Sequence, residues 1–163
     1  MATTRDKPEQ KDGRVSRVGR VKAISVSKEK GTQKVNVAEA ELRADFGIIG
    51  DAHAGNWHRQ VSLLGAESIN KMIEKGAAVG PGSFAENITT EDIDLLALEV
   101  GTKLRIGQSA RLEITQFGKA CHSRCEIFEL VGDCIMPREG VFAKVTGSGR
   151  LAVGDVIEAV DWG

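Results

Sequence analysis

The sequence predicts a mainly β protein, a barrel or similarly compact β-rich fold, with one clear helix. Three observations lead there. Short runs of alternating polar and apolar residues recur along the chain, the cleanest being Ala110 to Phe117 (ARLEITQF), and period-two alternation is the signature of a half-buried strand. Glycine is abundant, 19 residues against 3 prolines, which suits tight turns and close backbone approaches better than flexible linkers. Only one stretch has strong helical periodicity. No alternation of strands and helices points to a doubly wound parallel sheet, and no internal repeat is present.

Taken in order, Arg20 to Ser27 (RVKAISVS) is β-branched and alternating, a strand. A turn at Gly31 leads to Lys34–Leu42 (KVNVAEAEL), read as a second strand forming a hairpin with the first, although its Ala-Glu tail also suits a helix. Phe46 to Asn56 (FGIIGDAHAGN) combines three glycines with ligand-type side chains, a loop composition. Val61–Leu64 is a short apolar strand or helix entry. Ala66–Lys75 (AESINKMIEK) places Ile69, Met72 and Ile73 on one helical face and stops at Gly76. Gly80 to Phe84 is a loop, and Thr90 to Asp94 a brief helix or turn capped by threonine. Lys103 to Ile106 is a strand. Cys121 to Arg138 carries a short helical pattern ending near Gly132 and broken at Pro137. Val141–Val145 and Leu151–Val160 are strands joined by Gly147-Ser148-Gly149.

The 163 residues suit a single domain over 15–163. Residues 1–14 are polar and aperiodic, read as a disordered leader with no secretory signal. That reading implies a cytoplasmic protein with reduced thiols. The net charge of -1 argues against nucleic acid as a partner recognised through bulk charge. No apolar run approaches the roughly 18 residues of a membrane span, so no membrane partner is expected.

Four constellations carry candidate chemistry. Cys121-His122-Ser123-Arg124-Cys125, with Cys134 beyond, places thiols beside cationic side chains that lower a thiol pKa. Such a thiol serves as nucleophile, persulfide carrier or soft-metal ligand. The spacing is not that of a structural zinc knuckle, and Cys134 between apolar neighbours also reads as a small buried hydrophobe. Gly50-Asp51-Ala52-His53, followed by His58-Arg59, suits a metal or an oxyanion, or is turn chemistry. Pro81 to Ile88 (PGSFAENI) suits a cradle of backbone N–H groups for phosphate, with Glu86-Asn87 alternatively a satisfied polar pair. Gly154-Asp155 reads as a bulge inside a strand. No nucleophile elbow, zinc-protease helix or P-loop is present, and a desulfurase that binds pyridoxal phosphate needs a much longer chain.

In order, Gly-Ile-Ile-Gly-Asp51-Ala-His53, His58-Arg59-Gln-Val-Ser-Leu-Leu, Gly82-Ser-Phe-Ala-Glu86-Asn87-Ile, Gly101 to Gly107, the Cys121 to Cys125 cluster, Cys134 to Ala143 and Gly154-Asp155 resemble the MOSC domain, named after the C-terminal domain of molybdenum cofactor sulfurase. The likeness runs from about Val21 to Val160. It implies a strongly bent, β-rich barrel of the α+β kind with a few short helices. It also implies handling of the molybdenum–pterin cofactor or of sulfur destined for it, with that cofactor or a sulfur donor or acceptor protein as partner. The family's cysteine is proposed to carry sulfur as a persulfide or to ligate molybdenum. In the related amidoxime reducers it follows an arginine, which singles out Cys125 after Arg124, with Cys121 second. Asp51, His53, His58, Arg59, Ser83, Glu86, Asn87 and Arg124 are then the expected cofactor-binding residues. Two other readings stand beside this one. One is a non-catalytic zinc or oxyanion module using His53, Cys121, His122 and Cys125; the other is a cofactor-free thiol enzyme acting on small electrophiles through Cys125.

Overall fold

A computed structural model describes residues 15–119 and 134–160. Eleven strands fall within them: β1 (Val18–Val26), β2 (Val35–Val37), β3 (Glu39–Arg43), β4 (Gly47–Ile48), β5 (Val61–Gly65), β6 (Ile88–Glu91), β7 (Lys103–Ile106), β8 (Ala110–Phe117), β9 (Val141–Gly147), β10 (Gly149–Ala152) and β11 (Val156–Val160). Helix α1 is Ala66–Glu74, a 3₁₀ turn spans Leu95–Ala97, and α2 is the single turn Met136–Glu139. The main sheet runs β11-β7-β8-β9-β5-β6-β1, and β11 pairs back onto β1, so seven strands close into a barrel. Closure removes the free edges that an open sheet would expose. Strand β2 attaches to β1 outside the ring, and β10-β3-β4 form a small separate sheet.

Alternation explains the barrel interior. Leu112 and Ile114 of β8, Leu104 and Ile106 of β7, Ile157 of β11 and Val141, Ala143 and Val145 of β9 all turn into one apolar core. Strand β5 is apolar on both faces because both are covered. Val61 and Leu63 enter the barrel, while Leu64 packs outside it with Ile69 and Met72 of α1, Phe84, Ile135, Met136 and Phe142. A strand buried on both sides reads as a continuous apolar run, which is why VSLL was ambiguous between strand and helix.

The strands at Arg20–Ser27, Lys103–Ile106, Ala110–Phe117 and Val141–Val145, and the helix at Ala66–Lys75, appear where expected to within two residues. The β1–β2 hairpin also forms, with Ile24 opposite Val37. Several expectations need correction. Lys34–Leu42 is two strands: after Val37 the chain leaves the main sheet, and β3 pairs with β10 and β4 instead. The Ala-Glu tail is therefore strand. Thr90 lies in β6 and caps nothing, since sheet pairing with Val21 overrides its capping tendency. Leu151–Val160 is likewise two strands, and Gly154-Asp155 is the turn between them. Gly154 has φ +95°, and Asp155 Oδ2 accepts from the Ala152 amide at 2.8 Å. Pro137 sits in the first turn of α2, where its missing N–H is no loss.

One βαβ unit does exist. β5 and β6 are parallel, with Leu63 opposite Ile88, and α1 makes the crossover. The long return from α1 to β6 carries the Gly80–Asn87 loop to one end of the barrel. The leader and the helical pattern expected between Cys121 and Gly132 lie outside the described residues. Among the described residues no helix is long and apolar enough to cross a membrane.

Candidate functional site at one end of the barrel

Three loops meet where β1 ends: the β1–β2 turn, the Gly50–Gln60 loop and the Gly80–Asn87 loop. They are held together by Lys34 and Ser25. The Lys34 amide donates to Gly82 O at 2.9 Å. Its side chain turns inward and is fully buried, as is that of Asp51. Lys34 Nζ donates to Asp51 Oδ1 at 2.8 Å, to Ser27 Oγ at 2.9 Å, and lies 3.1 Å from His53 Nδ1. Ser25 receives the third loop: its amide donates to Asn87 O and its carbonyl accepts from Asn87 Nδ2 at 3.1 Å. The Oγ of Ser25 donates to Asn36 Oδ1 at 2.7 Å.

Asp51 is the acceptor hub. Beyond Lys34 it takes the Ser27 amide on Oδ1 and the His53 amide on Oδ2, each at 3.0 Å. Burial alone would raise its pKa. Hydrogen bonds from the Lys34 side chain and the His53 amide, and the Lys34 charge, more than offset this and hold the carboxyl well below the usual carboxylate range. The turn chemistry read from Gly-Asp is thus real, with an ion pair built on it.

Beyond this pair the loop displays Trp57. Its ring stacks nearly parallel to His53, 6.4 Å between centroids at 8°, and its Nε1 donates to His53 O at 2.7 Å. Lys30 Nζ lies 4.6 Å from the Trp57 centroid and the Arg59 guanidinium 4.7 Å, the latter also 5.6 Å from Phe142. Arg59 Nε is buried with no hydrogen-bond partner in the structure. An unsatisfied buried donor on a permanent cation is uncommon and calls for an acceptor. His58 turns to the barrel: it is edge-on to Trp57 and bonds Gln116 Oε1 at 2.7 Å, and its carbonyl accepts from Thr115 Oγ1. The structure therefore brings Asp51, His53 and Arg59 together around Trp57, with His58 as a brace to β8.

The glycine-rich loop has filled its own cradle. Glu86 is completely buried, and its carboxyl accepts from Gly82 N at 2.7 Å, Phe84 N at 3.2 Å and Thr89 Oγ1 at 2.9 Å. The amides that would face a phosphate are therefore taken by the chain's own carboxyl group. Burial raises the Glu86 pKa, and these bonds only partly counter it. Asn87, also fully buried, bridges Ser62 and Ser25. Ser83 closes the turn with Gly80 through its Oγ and its amide. Gly82 has φ +90°, and a Cβ there would lie 2.5 Å from Lys34 O, so only glycine fits between this loop and Lys34.

Cys121, His122, Arg124 and Cys125 lie outside the described residues, which stop at Lys119 and resume at Cys134. The two ends are joined: Lys119 N donates to Pro137 O at 3.2 Å and Gly118 N to Gly140 O at 2.7 Å. Gln116, the partner of His58, lies just before this junction. Cys134 is half-buried against the cluster beneath α1. Among the described residues no group of three or more His, Cys, Asp or Glu is arranged to hold a metal ion.

Lys34 and Trp57 were missed from sequence. Lys34 reads as the polar start of a strand, and its partner stands 17 residues away. Trp57 had a weak signal, as an aromatic residue inside a loop full of ligand-type side chains.

Solved structures share this fold. The YuaD protein from Bacillus subtilis superposes with a TM-score of 0.75 at 18% identity, covering 90% of this chain and 97% of that one. YiiM from Escherichia coli gives 0.63 at 17%, with 88% and 71% covered, and YiiM from Geobacillus stearothermophilus 0.61 at 14%, with 91% and 75% covered. No curated protein matches in sequence. The family model for the MOSC domain matches residues 50–158, a span holding the Asp51–Arg59 loop, the Gly82–Asn87 loop and the cysteine segment. The chain belongs to the MOSC domain family, which is associated with molybdenum cofactor sulfurase-like proteins.

Proposed function

We propose that this protein binds the molybdenum–pterin cofactor, or carries sulfur for it, at the end of the barrel defined by Trp57. The observation that supports this reading best is Arg59: a half-buried arginine whose guanidinium lies against Trp57 and Phe142, with its buried Nε donor unmet. The residues fit an anionic, conjugated group. Arg59 and Lys30 offer positive charge for a pterin phosphate, Trp57 offers a flat surface, and His53 stands beside it. Asp51, Ser83, Glu86 and Asn87 hold these loops in place from behind.

The chemistry the group would supply when bound is that of a redox-active metal on a sulfur-rich pterin. Cys125 is the proposed metal ligand or sulfur carrier, with Cys121 second and Arg124 lowering the thiol pKa. As a carrier, the Cys125 thiolate would take the outer sulfur of a donor protein's persulfide, and the donor would leave as its thiolate. Of the four residues named for the zinc reading, Cys121, His122 and Cys125 lie outside the described residues.

Anaerobic protein mixed with released molybdenum cofactor and desalted should co-elute with pterin fluorescence and molybdenum. Arg59→Leu and Cys125→Ala should each lose most of both while keeping the wild-type circular dichroism. Failure of the wild type to retain either signal rejects a cofactor-binding role. Retention by Cys125→Ala removes that cysteine from it.

A further inference from the structure

We infer that Lys34 is a positioning residue that fixes the tautomer of His53, so that the ring presents Nε2–H to the open side of the site as a hydrogen-bond donor. The inference takes its ligand class from the proposed function and deepens it: the group beside His53 is an oxygen acceptor, not a metal ion.

Proton counting carries the argument. A lysine ammonium has three hydrogens and no acceptor. Three atoms stand within bonding distance of Lys34 Nζ: Asp51 Oδ1 at 2.8 Å, Ser27 Oγ at 2.9 Å and His53 Nδ1 at 3.1 Å. Ser27 donates its own hydroxyl hydrogen to Glu29 O at 2.8 Å, so its oxygen is free to accept from Lys34. Asp51, held ionised, accepts only. All three ammonium hydrogens are then committed, one of them to His53 Nδ1. A nitrogen receiving that hydrogen bond cannot carry a proton. The proton of the neutral ring must therefore sit on Nε2.

The alternative is poorer at every contact. With the proton on Nδ1, it would face the ammonium at 3.1 Å, and its nearest acceptor, Asp51 Oδ2, is 3.7 Å away, beyond hydrogen-bond range. The ring's swing is limited. Its own amide is tied to Asp51, its carbonyl holds the Trp57 indole, and the two rings are stacked. No hydrogen bond joins His53 Nε2 to any described residue, and the side chain keeps 18% of its surface exposed. Lys30 and Arg59 lie against the Trp57 ring on which His53 stacks, so an Nε2–H there adds a neutral donor to two cations. Metal binding at Nε2 would need that proton moved to Nδ1, against Lys34.

The test is the imidazole ¹⁵N spectrum of the full-length protein without cofactor, at a pH where His53 is neutral, the His53 signals being those lost in His53→Gln. The expected result is an unprotonated Nδ1 and a protonated Nε2. A protonated Nδ1 in the wild type overturns the inference outright, with no variant needed. In Lys34→Met the tautomer ratio should move toward Nδ1–H by roughly tenfold or more, the worth of one hydrogen bond to a charged group, and Lys34→Arg should restore it. An unchanged ratio in a folded Lys34→Met protein, judged by its amide spectrum, also overturns the proposal. Added zinc chloride should leave the His53 nitrogens unshifted, and a metal-bound signal at either one refutes the donor role. Because no cofactor is present, this experiment can fail while cofactor retention succeeds, and the reverse.

Discussion

Two loops at the same end of the barrel each bury a carboxyl group, and they solve the problem in opposite ways. Asp51 is met by a buried ammonium and amides, and its pKa is pushed down. Glu86 is met by two amides and a hydroxyl with no cation beside it in the described structure, and its pKa is pushed up. Backbone dipoles alone do not repay the desolvation of a full charge, whereas a paired cation does. The first loop then has cationic and aromatic side chains left to display. The second is turned in on itself, with Ala85 held at φ +66° inside it, and serves as a wall.

The sharpest way to break this contrast is Lys34→Met. It strands the ionised Asp51 in the interior and removes three hydrogen bonds, and losing one partner of a buried pair costs about 3–5 kcal/mol. Urea unfolding should show that loss, with much of it returned by the double variant Lys34→Met/Asp51→Asn. A loss under 1 kcal/mol would mean that the pair is solvated in solution.

Glu86→Gln should have a smaller effect, about 1–3 kcal/mol at neutral pH, since one amide nitrogen would face donors. Its pH dependence is the more telling measurement. Glu86 has a folded pKa above its usual 4.5, so its stabilising contribution is full below 4.5 and is lost as pH rises through the folded value. Asp51, with a folded pKa below its usual 3.8, contributes fully above 3.8 and is lost on further acidification. Stability measured against pH should thus carry two opposed slopes. Glu86→Gln should erase the one above 4.5, and Asp51→Asn the one below 3.8. Slopes of the same sign would refute the contrast.

Trp57→Ala should be mild for folding, about 1–2 kcal/mol, because the ring is only partly buried and its two cation–π contacts are each worth about 0.5–1 kcal/mol. It should still weaken retention of pterin clearly, read by fluorescence after desalting. A large loss of stability instead would make Trp57 a core residue.

Much of this was legible in the chain. Ala110–Phe117 forms a strand because Ala110, Leu112 and Ile114 alternate with charged or polar residues, and α1 forms because Ile69 and Met72 share a face. Asp51, His53 and Arg59 were identifiable because ligand-type side chains in a glycine-punctuated loop have no packing explanation. The breaks at Ala38 and Gly154 were not legible, since strand pattern continues across both and only sheet exchange interrupts it. Nor was the role of Glu86: a carboxyl beside glycines reads alike whether it faces a ligand or its own backbone.

The β-rich class, the principal helix and the loops that bear the site follow from local periodicity and turn chemistry. That β5 and β6 run parallel, that the cradle at Gly82 is filled by Glu86, and that Lys34 reaches Asp51 and His53 across 17 and 19 residues emerge only in the folded chain. Burial and charge pairing depend on which segments closure of the barrel brings together. No local pattern records that.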